Sequence, residues 1–351
     1  MVINQNLIEI DGSYGSGGGQ ILRTAISLSA VTQKPCRVFN IRRLRPKPGL
    51  SNQHLLSIRS LSQLCNGKLE GDFLGSEEVK FYPGKIYKSR VSVNIPTAGS
   101  ITLALQTLIL PALFSPNPVT ISFNGGATDT FFSPTIDYFQ YVFLKILEKM
   151  RGKVKVNISK RGYYPEGGAE AEIRVFPSEL KNLNLTERGK FQKILVISGA
   201  ANTLKSKKVA ERQIAGVKEI LGKLKLPIEE KIEYYDTLCP GSQIFLAAEF
   251  SSQGKENTVI GTDNLGKLGK KAEDVGKEAA LELLKEQKSG ASLDKHSGDQ
   301  ILPYMALAKD KSSITVSEIT SHCESNIWVI EKFVEGKFEI ENNLISWLPL
   351  L

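Results

Sequence analysis

The chain has little of what most often carries chemistry. Its 351 residues include three histidines, four cysteines and two tryptophans. The cysteines (Cys36, Cys65, Cys239, Cys323) lie far apart and form no CxxC pair. That pattern argues against a metal cage or a disulfide framework and points to a reducing compartment. No apolar run approaches the ~18 residues of a membrane span. The N-terminus, MVINQNLIEIDGS, lacks a basic stretch followed by an apolar one. No signal peptide is therefore expected, and the cytoplasm is the expected location. Two motifs are also missing. Residues 12–24, GSYGSGGGQILRT, suggest a phosphate cradle, but Gln20-Ile21 stand where a P-loop needs Lys-Ser/Thr. A dinucleotide fingerprint fails as well, because no acidic residue lies about 20 positions on.

The most informative absence is of one sign of charge. The net charge is +8, and no Asp or Glu occurs from Gly12 to Leu69. That stretch holds Arg23, Lys34, Arg37, Arg42, Arg43, Arg45, Lys47, Arg59 and Lys68. A one-signed block rich in arginine suggests a polyanionic partner.

What is present is a repeat. SGGGQILRTAISLSAVTQKPCRVFNI near the N-terminus and HSGDQILPYMALAKDKSSITVSEIT near the C-terminus share small residues, Gln-Ile-Leu, an apolar helix, a polar turn and a β-rich strand. TAGSITLALQTLILPALFSPNPVTISFNG is a looser third copy. Each copy is followed by a second helical stretch that stops at Gly-Lys: LLSIRSLSQLCNGK, YFQYVFLKILEKMRGK and NIWVIEKFVEGK. Glycine there reads as the left-handed stop of a helix. Three such units, each a small sheet with two helices on one face, predict an α+β fold. Residues 186–290 break the pattern with strands (KILVIS, IEEKIEYYD, SQIFLAAEF, NTVIGT) and two helices. They predict an inserted smaller α/β domain with its own core, no histidine and little chemistry. The repeat domain then comprises residues 1–185 and 291–351.

All three histidines fall at predicted helix starts: His54 in RPKPGLSNQH, His296 before SGDQ, and His322 in ITSHCESNIWVI. The field at a helix N-terminus disfavours imidazolium and keeps a ring nucleophilic near neutrality. The same helix end offers N–H groups to a phosphate. Further glycine loops, FNGGATDT and KRGYYPEGGAE, sit at element junctions.

In order along the chain, DGSYGSGGGQILR, RPKPGLSNQH, GGATD, RGYYPEGGAE, HSGDQILPYMAL and SHCESNIWVIEKF resemble the RNA 3′-terminal phosphate cyclase family. The resemblance implies three repeats, each a four-stranded sheet with two helices, of the type shared with enolpyruvyl transferases, and a smaller domain inserted in the third. It implies conversion of an RNA 3′-phosphate to a 2′,3′-cyclic phosphodiester with ATP and a divalent cation (Mg or Mn), through a histidine–AMP intermediate and an RNA-adenylate. By position, His322 is the implied nucleophile. The implied ATP contacts are Gln106, Pro134, Asp137 and the run His296, Ser297, Gly298, Asp299, Gln300. Gln20, Arg23, Arg42, Arg45, Gln53 and His54 match positions that line the phosphate cleft and meet the RNA end. Two departures stand out. Ser16 occupies a place where the family commonly has a metal-holding Glu, so no metal ligand is assigned, and Ala169 replaces a glycine. Non-catalytic relatives that act in ribosomal RNA processing lack the histidine present here as His322. An enolpyruvyl transferase would need six copies of the repeat.

Overall fold

The computed structural model describes residues 7–15, 17–252 and 255–350. The first repeat runs β1 (Ile8–Asp11), α1 (Gly19–Thr32), β2 (Cys36–Phe39), α2 (Asn52–Cys65), β3 (Lys68–Glu70) and β4 (Val79–Tyr82). Its sheet has the order β1-β2-β4-β3, with β1 and β2 parallel and the other neighbours antiparallel. A parallel pair needs a crossover, and α1 supplies it. The second repeat is β5 (Arg90–Ser100), α3 (Ile101–Leu113), β6 (Val119–Ala127), a continuous helix, β7 (Lys153–Lys160) and β8 (Glu170–Phe176). The helix comprises α4 (Ile136–Tyr138), a π-helical turn (Phe139–Phe143) and α5 (Leu144–Lys149). The order β5-β6-β8-β7 copies the first sheet, directions included.

The third repeat opens with β9 (Asn184–Leu185) and is then interrupted. The interruption is β10 (Lys190–Ala201), α6 (Val209–Leu221), β11 (Ile228–Tyr235), β12 (Ser242–Ser252), β13 (Lys255–Leu265) and α7 (Ala272–Lys288). The repeat resumes with α8 (Lys295–Ala306), β14 (Ser312–Thr315), α9 (Ser321–Phe333), β15 (Gly336–Glu341) and β16 (Leu344–Pro349). Its sheet, β9-β14-β16-β15, has the same plan again. The fold is α+β, built from three copies of one unit.

The helices of the three units pack on one another, α1 against α3 and α9 and α2 against α3. This explains why α3, ITLALQTLILPAL, is apolar almost all round: it is buried on nearly every side. The Gly-Lys stops work differently from the sequence expectation. At the first two the left-handed residue is the one before the glycine, Asn66 (φ 50°) and Arg151 (φ 67°), whereas at the third Gly336 itself has φ 154° and follows an extended cap, Val334. The glycine is needed for closeness instead. A Cβ on Gly67 would stand 2.7 Å from the Phe81 ring, and one on Gly152 would stand 2.5 Å from Leu147 Cγ.

The inserted sheet, β11-β10-β12-β13, is covered on both faces. Ile194, Val196, Ile244 and Leu246 join a small core with residues of α6 and α7. Alternate residues Leu195, Ile197, Phe245 and Ala247 join the main core shared by the repeats. Phe245 meets the rings of Tyr138 at the end of α4 and Tyr141 in the π-helical turn. The insertion thus has a core of its own on one face only. All four cysteines are buried and unpaired. No helix among the described residues is long and apolar enough to cross a membrane.

Candidate active site

A cavity of about 680 Å³ opens where the first turns of α1, α2, α8 and α9 converge, with Gln106 of α3 on the same wall. Helix N-termini concentrate partial positive charge and backbone N–H groups, so their meeting favours an anion. They are not equally free. The α1 terminus has Gly18 at its cap and no side-chain cap. The α8 terminus is closed by Asp294, whose carboxylate accepts the N–H groups of His296 and Ser297 at 3.0 and 2.9 Å. The same carboxylate accepts the Tyr138 hydroxyl at 2.6 Å and the Gly261 N–H at 3.0 Å. One buried aspartate therefore ties the second repeat, the third repeat and the insertion together beside the cavity.

One wall is cationic. Arg23, Arg42, Arg45 and His54 face the space. Arg42 donates to the Gly49 carbonyl at 2.7 Å. Burial pushes the Arg23 guanidinium down to about 10, against the opposing charge of Asp299, and its Nε is buried with no partner. His54 completes a capping box at α2: its Nδ1 accepts the Ser51 N–H at 3.3 Å and lies 2.8 Å from the Ser51 hydroxyl. That leaves Nε2 as the donor. Burial, helped by Arg23 and Arg42, drives the ring down to about 3, so it is neutral. The glycine cluster makes room for it. A Cβ on Gly19 would stand 1.9 Å from His54 Nε2.

His322 and the start of α8 line the same cavity. His322 is the second residue of α9, whose cap Thr320 accepts the Cys323 N–H at 3.1 Å. Its ring lies below the ordinary imidazole range, first through burial and then through Arg23, His296 and Arg45. Nδ1 is buried without a partner. The helix is locked to its neighbours. Gln20 donates to the His322 carbonyl at 3.3 Å, Thr24 donates to Asn326 at 2.7 Å, and Asn326 donates to the Asp299 carbonyl at 2.8 Å.

Of the residues singled out in the sequence, the structure brings Gln20, Arg23, Arg42, Arg45, His54, Gln106, Pro134, His296, Asp299, Gln300 and His322 to this cavity. Four stand off its wall. Ser297 is buried with its hydroxyl on the Asp294 carbonyl. Gly298 packs on β14's end, where a Cβ would stand 2.5 Å from Val316 Cγ1. Gln53 Oε1 faces the Ser100 N–H at 3.5 Å. Asp137 is buried and held by Arg161 in a bidentate pair at 2.6 and 2.8 Å. The arginine block is also divided. Arg37 pairs with Glu9 and Glu78, Arg59 with Asp72 and Lys68 with Glu70, all acids outside the block.

Sequence reasoning passed over Phe132, Tyr138, Asp263 and Asn326, which also line the cavity. Phe132 has φ 64° and a fully exposed side chain, a costly conformation for a bulky residue. Its place in FFSPTID, between two glycine loops, was the available signal. Asp263 lies on β13, so the insertion does reach the cavity. It accepts the Thr135 N–H at 2.7 Å, and burial holds its carboxyl above the usual range. Among the described residues no group of three or more His, Cys, Asp or Glu could cage a metal. Ser16 lies outside the described residues.

The sequence profile described as RTC: RNA 3′-terminal phosphate cyclase matches residues 14–340. A protein of Pyrococcus abyssi named RNA 3′-terminal phosphate cyclase is 44% identical over 339 residues, covering 96% of each chain. One of Methanopyrus kandleri with the same name is 42% identical over 342 residues, covering 95% of each. Among solved structures, an enolpyruvyl transferase of Streptomyces tendae aligns with 98% of this chain and 81% of its own at 8% identity and a TM-score of 0.27. The repeat described above rests on strand order and not on that likeness. With end-to-end identity to such relatives, and with its convergent helix termini, arginines and histidines, the chain belongs to the RNA 3′-terminal phosphate cyclase family.

Proposed function

We propose that the chain acts in the cytoplasm as an ATP-dependent RNA 3′-terminal phosphate cyclase that works through covalent AMP on His322. The observation that carries this reading is a neutral histidine at a helix start, in one cavity with three arginines. Since Nδ1 is buried, Nε2 is the nitrogen that can reach a ligand. In the first step the Nε2 lone pair forms a bond to the α-phosphorus of ATP, the bridging P–O bond breaks, and pyrophosphate leaves. An oxygen of the RNA 3′-phosphate then attacks the same phosphorus, the P–N bond breaks, and His322 is regenerated. Finally the 2′-hydroxyl attacks the RNA phosphorus, the P–O–P link breaks, and AMP and the hydroxyl proton are released.

The other side chains have roles that follow from charge and position. Anion must meet anion at one phosphorus, so Arg23, Arg42 and Arg45 offset the gathering negative charge. A neutral His54 offers Nε2–H as a hydrogen-bond donor without competing as a nucleophile, because its Nδ1 is committed to Ser51. Gln106, Pro134, His296, Asp299 and Gln300 hold ATP along the α8 wall, while Ser297, Gly298 and Asp137 act behind it by fixing α8 and the loop before α4. A divalent cation, Mg or Mn, fits this site as a partner of the phosphates and not of a protein cage, since such ions take one or two carboxylates and keep water or phosphate elsewhere. Asp263 and Asp299 are the wall carboxylates available to it, and bound there it would supply charge neutralisation. The reading as a non-catalytic ribosomal RNA-processing factor leaves the neutral His322 without a task.

The test is incubation with ATP labelled on the α-phosphate, followed by mass spectrometry of the protein. Wild type gains one AMP. His322→Ala gains none and makes no cyclic phosphate, whereas His54→Ala is slowed but active. A covalent adduct on the His322→Ala protein would sink the assignment.

A further inference from the structure

The α9 helix has a second stripe beside the turn that holds His322. Ser321, Ser325, Trp328 and Lys332 recur at i, i+4, i+7 and i+11 and share a face. The glycine loop lies along that face. A Cβ on Gly15 would stand 2.7 Å from the Ser325 hydroxyl. One residue earlier, the Tyr14 ring lies flat on the Trp328 indole, centroids 4.3 Å apart and planes 9° apart. Lys332 Nζ sits 4.9 Å from the Trp328 ring centre. Tyr14 is nevertheless 42% exposed. The Tyr14 backbone is held on both sides, its N–H on the Asp11 carbonyl and its carbonyl accepting the Gly17 N–H. The aromatic surface is thus fixed before any ligand arrives.

Gly17, at the end of this loop, abuts Leu44. Leu44 is 69% exposed, in the exposed run from Arg43 to Pro48. Arg45 of that run also faces the cavity. Outward from His322, then, the rim presents Arg45, an exposed leucine and an exposed aromatic ring, with Lys332 against the Trp328 ring, Arg43 on the Asn40 side chain at 3.2 Å, and Lys47 in the same exposed run as Leu44. Bases stacked on a ring with phosphates on flanking cations are the chemistry such a strip recognises. His322 and Trp328 are six residues apart, which is about 9 Å along a helix axis. That places the ring within reach of the strand leaving the cavity.

We propose that the outer face of Tyr14, backed by Trp328, stacks a base just upstream of the 3′-terminal nucleotide of a single-stranded RNA, with Arg43 and Lys47 on the adjoining phosphates. This rests on the reading that the RNA end occupies the Arg42–Arg45 side of the cavity.

The test is binding to a ten-nucleotide single-stranded RNA carrying a 3′-phosphate and a 5′-fluorophore, with uridine 3′-phosphate as a competitor that has no upstream base. Tyr14→Ala should weaken the oligonucleotide by about ten-fold, in the range of one lost base stack, while the competitor constant of uridine 3′-phosphate moves less than two-fold. Tyr14→Phe, which keeps the ring, should bind the oligonucleotide like wild type. Equal oligonucleotide affinity for Tyr14→Ala and wild type overturns the platform, and so does equal weakening of both ligands. Cyclisation by the wild type is scored in parallel. Its absence with the binding pattern intact counts against the proposed reaction, and its presence with no effect of Tyr14→Ala counts against the platform alone.

Discussion

Arg23 and Arg161 each carry a guanidinium out of bulk water, and their surroundings differ in kind. Arg161 is closed in. It holds Asp137 with two bonds and Asp129 with one at 3.2 Å, and its guanidinium lies 4.8 Å from the Tyr235 ring centre. The two carboxylates raise its pKa well above the ordinary arginine value against the pull of burial. Asp137, Asp129 and, at 4.0 Å, Glu233 outnumber the one cation. Asp129, with one oxygen unpartnered, is accordingly pushed up to about 6, first by burial. Arg23 is open. It faces one carboxylate, Asp299, and its pKa falls. Arg42 and Arg45 line the same cavity beside it. A guanidinium gripped by carboxylates holds the fold, whereas one that keeps a buried Nε without a partner beside a cavity is placed to take an anion.

The largest effect expected from this contrast is on stability. Arg161→Met leaves two buried carboxylates without their cation and should cost about 3–5 kcal/mol, read as a shift in the denaturant midpoint. A loss below about 1 kcal/mol, the range of an exposed pair, would remove the distinction. Arg23→Leu should be milder in stability. Asp299 then loses its counter-charge, but burial already holds that carboxyl well above its ordinary range, so it can neutralise by taking a proton. The damage should appear in function instead. Loss of one charge-assisted contact to phosphate, about 1.5–3 kcal/mol, predicts a roughly ten- to 150-fold fall in kcat/KM for cyclisation. If Arg23→Leu unfolds as readily as Arg161→Met while keeping its activity, the roles are reversed.

The sequence made one of these clusters legible and hid the other. Helix starts carry local signals, so His54, His296 and His322 could be placed at N-termini without a structure, and the Gln-Ile-Leu openings of two units with the Gly-Lys endings of all three marked the repeat. Asp137 could not be read the same way. Its partner Arg161 lies 24 positions on, across a sheet, and only the fold turns an acid near the nucleotide motif into half of a buried pair. Asp263 was hidden for the same reason: it reaches the cavity because one face of the inserted sheet docks on the main core, 128 residues from its partner Thr135. The acid-free window overstated the basic surface, since Glu9, Glu70, Asp72 and Glu78 lie just beyond its ends and fold back on Arg37, Lys68 and Arg59. The glycine stops misled over distance. Gly67 is set by Phe81 on a neighbouring strand and Gly336 by Trp347, contacts no local pattern records, while Gly152 packs on Leu147 of the helix it ends.

The smallest expected effect concerns the open cluster acting on His322 itself. Only the neutral ring can attack phosphorus, so the rate of adduct formation should follow its deprotonated fraction. Burial lowers its pKa from the ordinary 6.5, and Arg23, His296 and Arg45 act in the same sense. A lowered pKa means the ring gives up its proton at lower pH, so activity is present above the folded value and persists as the pH falls below 6.5. An ordinary imidazole of pKa 6.5 would be only about one-quarter neutral at pH 6.0. The second-order rate constant for adduct formation, which reports the free enzyme, should therefore stay well above one-quarter of its plateau at pH 6.0, after allowance for the ionisation of ATP. Arg45→Ala removes one of the acting charges and should move the inflection up toward 6.5. Substituting Arg37, a block arginine already paired with Glu9 and Glu78, should leave it in place. An inflection at or above 6.5 in the wild type would show that the cationic side of the cavity does not reach the nucleophile, and the contrast with the closed cluster would then concern binding alone.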